Sequence, residues 1–160
     1  MRKTTKSILI LLALMFLITG VCAVPTAAAD VTYSVSPAIG ATGETVTVAV
    51  SLSTSVDLWG GNVQLKYNPA ELQVVSCATG GAAATGSSVN DSGSSVNFSG
   101  MYSAKSGTIF TVTFKILLES GKSSLTLSSS ENTDVDGATH SYSVSNGSIT
   151  VLNKVPAEKV

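Results

Sequence analysis

The sequence predicts an all-β fold, namely a single-domain β-sandwich of about nine strands with jelly-roll topology. After residue 29, apolar and polar residues alternate with a period of two, and no segment has a convincing helical period. Clusters of Gly, Ser, Asn and Asp interrupt this alternation at close spacing, as turns do. Because each strand has only one apolar face, two sheets must pack face to face to bury these faces.

The alternation also places the individual strands, most clearly where Val or Phe recurs at every second position. β-Branched residues dominate these segments, as a half-buried pleated surface favours. The predicted strands are residues 31–36, 45–53, 59–67, 72–75, 94–100, 108–116, 123–128 and 147–152. Turns are predicted at residues 39–43, 79–86, 105–107, 119–122 and 134–137. Gly, Ala and Ser are so frequent in residues 80–95 that we expect a loop followed by an edge strand there.

The N-terminal segment has the features of an export signal. Three basic residues precede an almost unbroken apolar run over residues 8–18, and small residues follow. Cleavage is predicted after Ala29, with Ala23 as the alternative, and the run is shorter than the roughly 20 residues of a membrane span. An uncleaved anchor stays open, and lipid attachment at Cys22 is less favoured. We expect a signal peptide (1–29), one domain (30–152), a polar tail or linker start (153–160), and secretion or display at the cell surface.

Composition excludes two classes of partner. Residues 1–29 contain three of the nine basic residues and none of the ten acidic ones, so the mature chain has a net charge of −4. This charge argues against binding nucleic acid and against electrostatic attachment to anionic lipids. Only Cys77 remains after cleavage, so no internal disulfide can form, and a half-buried structural cysteine is expected.

The residues that could take part in catalysis do not form a recognisable catalytic set. His140 is the only histidine, and we expect an ordinary exposed histidine in a polar loop rather than a general base. The pair of carboxylates that a glycosidase needs cannot be nominated from spacing, because such residues converge only in space. The sequence therefore indicates a protein that is not an enzyme.

A calcium site is only weakly suggested, and no cofactor is expected. Asn132, Asp134, Asp136 and Gly137 have the spacing that opens a calcium-binding loop, with oxygen ligands at alternate positions before a glycine. The twelfth position is Ser143, where that loop needs a bidentate glutamate. A plain Asp-Gly turn is the favoured interpretation.

The most informative segment is residues 59–75. It predicts a strand with Val63 and Leu65 on one face and Asn62 and Gln64 on the other, then a turn at 68–69 and a second short strand. This layout resembles the central signature of cohesin modules, the receptors that bind dockerin-bearing proteins on a cellulosomal scaffold. Three further pieces resemble the family in the right order, and they are T-G-E-T-V-T-V-A-V (42–50), G-T-I-F-T-V-T-F (107–114) and N-G-S-I-T-V (146–151).

The resemblance covers residues 31–152 and implies a function. It implies an exported, non-catalytic module that binds a dockerin-bearing protein, such as a glycoside hydrolase, in a polysaccharide-degrading assembly. Dockerins of that kind fold around Ca²⁺. By the same resemblance, the docking face consists of Gly60, Asn62, Gln64, Asn97, Ser99 and Met101. We expect this face to be neutral and rich in amides, with little electrostatic steering of the partner.

Two other classes stay open. A carbohydrate-binding module shares the sandwich architecture and stacks sugars on exposed aromatic rings, for which Trp59 and Tyr102 are the candidates. Packing in the core or at the rim is the favoured role of Trp59. A structural sandwich of the cell envelope is the third class. An exposed row of aromatic rings would favour a carbohydrate-binding module. Self-association without another ligand would favour a structural protein of the cell envelope.

Overall fold

The computed structural model describes residues 29–153, and eleven strands form two sheets within this range. Residues 1–28 and 154–160, which include nearly all of the predicted signal peptide and tail, lie outside it. The strands are β1 (Val31–Val35), β2 (Ala38–Ala41), β3 (Thr45–Thr54), β4 (Leu58–Lys66), β5 (Leu72–Thr79), β6 (Ser88–Asp91), β7 (Ser95–Met101), β8 (Ser106–Ile116), β9 (Gly121–Asp134), β10 (Tyr142–Ser145) and β11 (Gly147–Leu152). Within residues 29–153, no helix is long and apolar enough to cross a membrane.

The two sheets confirm the predicted all-β sandwich. One sheet has five strands in the order β10-β1-β3-β8-β5, and the other has six in the order β2-β11-β9-β4-β7-β6. Neighbouring strands are antiparallel except for β1 with β10 and β2 with β11, which are parallel. The edge strand expected within residues 80–95 is β6, at the end of the six-stranded sheet.

Two further edge strands bring the count from about nine to eleven. The predicted turn at residues 39–43 is wrong over its first half, because β2 continues to Ala41 and pairs with β11. β10 was not predicted, although Tyr142-Ser143-Val144-Ser145 alternates apolar and polar residues, because the segment has only four residues and follows a polar loop. Both strands are held mainly by backbone pairing, which single-sequence patterns do not reveal.

The core lies between the two sheets and follows the predicted alternation. Val63 and Leu65 of β4 are 1% and 0% exposed, while Asn62 and Gln64 point away from them. The ring of Phe98 lies between those of Tyr102 and Phe110, with ring centroids 5.7 and 6.0 Å apart. Burying a large apolar side chain stabilises a fold by about 1.5–3 kcal/mol, so this layer fixes the direction in which each strand faces.

A buried polar network ties β9 to the opposite sheet. The Tyr33 hydroxyl accepts a hydrogen bond from Tyr102 (2.8 Å) and donates one to the Asn132 side-chain oxygen (2.7 Å). Ser129 also donates to that oxygen (2.9 Å), and Asn132 is only 2% exposed. Burial is the main cause that raises the pKa of both phenols, which therefore stay protonated as donors.

His140 holds the start of the domain to the turn after β9. Its Nε2 lies 2.9 Å from Asp134 Oδ2, and its Nδ1 lies 3.4 Å from Asp30 Oδ2. The expectation of an ordinary exposed histidine is wrong, because these two carboxylates flank a side chain that is only 18% exposed. The hydrogen bond to Asp134 is the main cause that raises the pKa of His140, and the contact with Asp30 adds to it. The same bond to His140 is the main cause that lowers the pKa of Asp134.

Asn132→Ala should lower the free energy of unfolding by about 2 kcal/mol. The change leaves the hydroxyl groups of Tyr33 and Ser129 in a buried site without their shared acceptor. Denaturant unfolding of the purified domain measures the effect. The control is Ser124→Ala at an exposed position of β9, for which we expect a change within about 0.5 kcal/mol. Equal effects of the two changes would contradict the role of the network.

The contribution of His140 to stability should disappear at alkaline pH. A group whose pKa is raised in the folded state stabilises the fold fully below its unfolded pKa of about 6.5, and this contribution is lost as pH rises through the folded pKa. The difference in Tm between the wild type and His140→Gln should therefore be largest at about pH 5.5–6 and shrink towards about pH 9. A difference that stays constant or grows with pH would rule out a protonated His140 between the carboxylates.

Candidate docking face

The six residues predicted for the docking face lie side by side on β4 and β7. The register of the antiparallel pair places Gly60 opposite Met101, Asn62 opposite Ser99 and Gln64 opposite Asn97. Each predicted residue thus faces another one across the pair. Their positions point away from the core, since the intervening Val63 and Phe98 are 1% exposed. The residues predicted from the sequence therefore form one continuous surface on two adjacent strands.

Two neighbouring strands widen this surface, and the sequence did not predict their residues. On β9, Ser130 pairs with Asn62 and Ser128 with Gln64. On β6, Ser88 pairs with Ser99 and Asn90 with Asn97. The result is two rows of four polar side chains across four strands, and we call this surface the polar face. Its rows are Ser88-Ser99-Asn62-Ser130 and Asn90-Asn97-Gln64-Ser128.

Hydrogen bonds within the polar face orient its amide groups. Gln64 Nε2 donates to Asn97 Oδ1 at 2.9 Å, and Asn97 Nδ2 donates to Ser92 Oγ at 3.2 Å. A shallow depression of about 350 Å³ lies over the two rows, lined by residues of β4, β7 and β9. Amides and hydroxyls both donate and accept hydrogen bonds, so this surface can bind the polar groups of a partner in several ways.

The polar face is not neutral, because β9 bulges beside it. Gly60 pairs with Thr133 and Asn62 with Ser130, so two residues of β9 lie opposite Gly61 alone. One of them is Glu131, whose φ of 59° is the only positive value for a residue other than glycine within residues 29–153. Its carboxylate accepts a hydrogen bond from Asn62 Nδ2 at 2.5 Å. The expectation of a neutral, amide-rich face is therefore wrong at this end.

A second, smaller depression adjoins Glu131, and we call it the glycine notch. Its volume is about 250 Å³, and it is lined by Gly60, Gly61, Asn62, Ser99, Gly100, Glu131 and Thr133. A Cβ at position 60 would lie 2.9 Å from the carbonyl oxygen of Gly100. A Cβ at position 100 would lie 2.7 Å from the Cα of Ser87. Both distances are too short for real contacts, so only glycine keeps the backbone of the notch in this arrangement.

The candidates for a sugar-stacking platform do not form an aligned row. Tyr102 is 8% exposed and lies in the core with its hydroxyl bonded to Tyr33. Trp59 is 55% exposed and lies at the rim, where its Nε1–H points at Met101 Sδ at 2.7 Å. Trp59 and Met101 thus form an exposed apolar pair at the end of the polar face.

Two of the three calcium candidates, Asn132 and Asp134, already accept local hydrogen bonds with their side-chain oxygens. The Asn132 oxygen faces the core network, and Asp134 Oδ1 accepts the backbone N–H groups of Asp136 and Ala138. This is the bonding of an Asp-initiated turn, as predicted at residues 134–137. Within the part of the chain that the structure describes, no group of three or more His, Cys, Asp or Glu side chains could hold a metal ion. Cys77 is a half-buried free thiol, as expected.

Solved structures share this fold at low sequence identity. The seventh ScaB type I cohesin from Pseudobacteroides cellulosolvens matches with a TM-score of 0.69 and 19% identity, over 81% of this chain and 97% of that one. A chain of the Coh-OlpA–Doc918 cohesin–dockerin complex from Clostridium thermocellum matches with a TM-score of 0.68 and 14% identity, over 77% and 99%. A non-cellulosomal cohesin from the hyperthermophilic archaeon Archaeoglobus fulgidus matches with a TM-score of 0.65 and 20% identity, over 78% and 93%.

Sequence comparison identifies the family directly. No curated protein matches the chain. The family model described as "Cohesin domain" matches residues 31–151, which is most of the chain and all eleven strands except the last residue of β11. The chain belongs to the cohesin domain family.

Proposed function

We propose that this domain is a non-catalytic receptor that binds a dockerin-bearing protein through the polar face. The observation that carries the proposal is the pair of cross-strand rows, in which Asn62, Gln64, Asn97 and Ser99 occupy adjacent central positions. Among structures with this fold are type I cohesin–dockerin complexes from Clostridium thermocellum, which supports a dockerin as the partner.

The size and chemistry of the polar face suit a protein partner. Four strands about 4.8 Å apart, of which β4 has nine residues and β6 only four, give the polar face and its margins a surface of at most roughly 19 by 30 Å. This is on the order of the 800 Å² per partner that a specific interface buries. Its amides and hydroxyls do not ionise near neutral pH and so offer no ready general acid or base, which favours binding over catalysis. The exposed Trp59–Met101 pair adds the kind of apolar anchor that interfaces use.

The setting of this activity is also part of the proposal. The basic start and apolar run of residues 1–29 support export, so the domain would act outside the cell. A polysaccharide-degrading assembly is the setting we propose, and a scaffoldin B cohesin from Acetivibrio cellulolyticus in complex with a Cel5 dockerin, which has this fold, supports it. The Archaeoglobus fulgidus relative is a non-cellulosomal cohesin, so the same fold also occurs outside cellulosomes.

A pull-down tests the proposal. The mature domain is immobilised and incubated with secreted proteins of the source organism, with Ca²⁺ or with a chelator. Because the dockerin fold depends on Ca²⁺, we expect a dockerin-bearing protein to be captured with Ca²⁺ and released by the chelator. Failure to capture any, from a preparation in which dockerin proteins are demonstrably present, would contradict the proposal.

Asn62→Ala should weaken dockerin binding about tenfold while leaving the domain folded. Asn62 lies at the centre of its row and holds the Glu131 carboxylate, so the change removes a hydrogen-bonding group from the middle of the interface. Calorimetric titration with the captured dockerin measures the effect. The matched control is Ser53→Ala on β3, an exposed position of the other sheet. An unchanged affinity of Asn62→Ala would remove this residue from the site.

A further inference from the structure

β5 differs from the other strands that lie at the edges of the two sheets. Within residues 29–153 the sheets end at β10, β5, β2 and β6, and β5 has eight residues where each of the other three has four. An edge strand presents unpaired N–H and C=O groups to any extended chain, and a short edge strand limits such pairing. Three of the four edges are limited in this way, whereas β5 is not.

The sequence of β5 also lacks the residues that keep edge strands apart. L-Q-V-V-S-C-A-T (72–79) contains no charged residue and no proline, although lysine and proline are the usual means of preventing edge-to-edge pairing. Five of its eight residues are exposed, and Val75 is 56% exposed. Short segments with high β-propensity, low charge and no proline are those that pair with identical copies of themselves.

A β-bulge restricts the edge that is available to the second half of β5. Val75 is the extra residue, because Val74 pairs with Phe114 of β8 and Ser76 pairs with Thr113. Such a bulge twists the edge away from a possible partner. From Ser76 to Thr79 the register against β8 is unbroken. The regular part of this edge therefore consists of four residues.

One hydrogen bond shows which backbone groups point outward. Gly80 N–H donates to the carbonyl oxygen of Ile109 on β8 at 2.7 Å. Because residues of an antiparallel pair alternate between hydrogen-bonded and non-hydrogen-bonded positions, Ser76 and Ala78 also bond to β8. The N–H and C=O groups of Cys77 and Thr79 therefore point away from β8. Among the strands of residues 29–153, β5 pairs with β8 alone, so these four groups have no strand partner.

We propose that the β5 edge is an interface with a second copy of this chain, in which the two β5 strands pair antiparallel about a two-fold axis at Ala78. This axis places Cys77 of each copy opposite Thr79 of the other, so all four outward groups of each copy form backbone hydrogen bonds. Ala78 meets its own copy on the axis, where its small side chain permits close approach. An uncharged strand pairs with itself without repulsion between like charges.

The dimer would carry two docking faces. Pairing joins the two five-stranded sheets into one sheet of ten strands, and the two-fold axis is perpendicular to that sheet. Both six-stranded sheets, and with them both polar faces, therefore lie on the same side of the dimer. Neither polar face takes part in the pairing, because it belongs to the other sheet. The inference of a dimer does not depend on the proposed function.

Amide hydrogen exchange tests the pairing residue by residue. The ¹⁵N-labelled domain is measured at about 20 µM and 1 mM, with a reductant so that Cys77 cannot cross-link two copies. We expect a dissociation constant on the order of 100 µM, at which the Cys77 and Thr79 amides exchange about fourfold more slowly in the concentrated sample. Ser76 and Ala78 should exchange equally in both samples, because β8 already protects their amides. Exchange of Cys77 and Thr79 that is independent of concentration would overturn the inference.

Charge exchange at the two-fold axis gives a second test, by sedimentation velocity in the same reductant. Ala78→Lys and Ala78→Glu should each weaken self-association at least about tenfold, because like charges then lie directly opposite each other. An equimolar mixture of the two variants should associate at least as well as the wild type. The matched control is Ala138→Lys at an exposed turn position, which should associate as the wild type does. Wild-type association of Ala78→Lys alone, or a mixture that stays monomeric, would contradict this interface.

Discussion

The burial of Val63 and Leu65 sets the register of β4, and the whole polar face depends on that register. Successive residues of a strand point to opposite faces, so a slip by one residue would turn Asn62 and Gln64 into the core. β4 lies between β7 and β9, and its register therefore also aligns Asn97, Ser99, Ser128 and Ser130 with these two amides. One apolar layer thus places polar groups from three strands in two straight rows.

The bulge in β9 is one of two places where the pairing of β4 with β9 is irregular beside the site, and the other lies between Leu58 and Gly60. The bulge in β9 turns Asn132 inward, where the side-chain oxygen accepts hydrogen bonds from Tyr33 and Ser129, and it leaves Glu131 outside. Each buried hydrogen bond contributes about 1 kcal/mol, which is comparable with the cost of the left-handed conformation at Glu131. The core network therefore offsets the strain that gives the polar face its carboxylate.

Much of the fold and the middle of the candidate site could be predicted from the sequence. The residues and strands that the sequence did not predict were missed for physical reasons. Alternation located Asn62 and Gln64 because Val63 and Leu65 make the buried face of β4 unambiguous. Ser128 and Ser130 were missed because a single sequence does not say which distant strand lies beside β4. Glu131 was missed because a left-handed residue changes the face on which the following side chains lie. β10 was missed because its alternation extends over only four residues, too few to distinguish a strand from a loop.

The partner should cover the polar face, and exposed side chains of the domain can report whether it does. Hydroxyl-radical footprinting of the domain, free and in complex with the captured dockerin, compares the oxidation of Trp59 and Met101 with that of Tyr142 on β10 of the other sheet. All three side chains are 39–55% exposed, so all should react in the free domain. We expect the complex to protect Trp59 and Met101 from oxidation while Tyr142 stays reactive. Protection of Tyr142 with Trp59 and Met101 unchanged would place the partner on the five-stranded sheet and rule out the polar face as the docking surface.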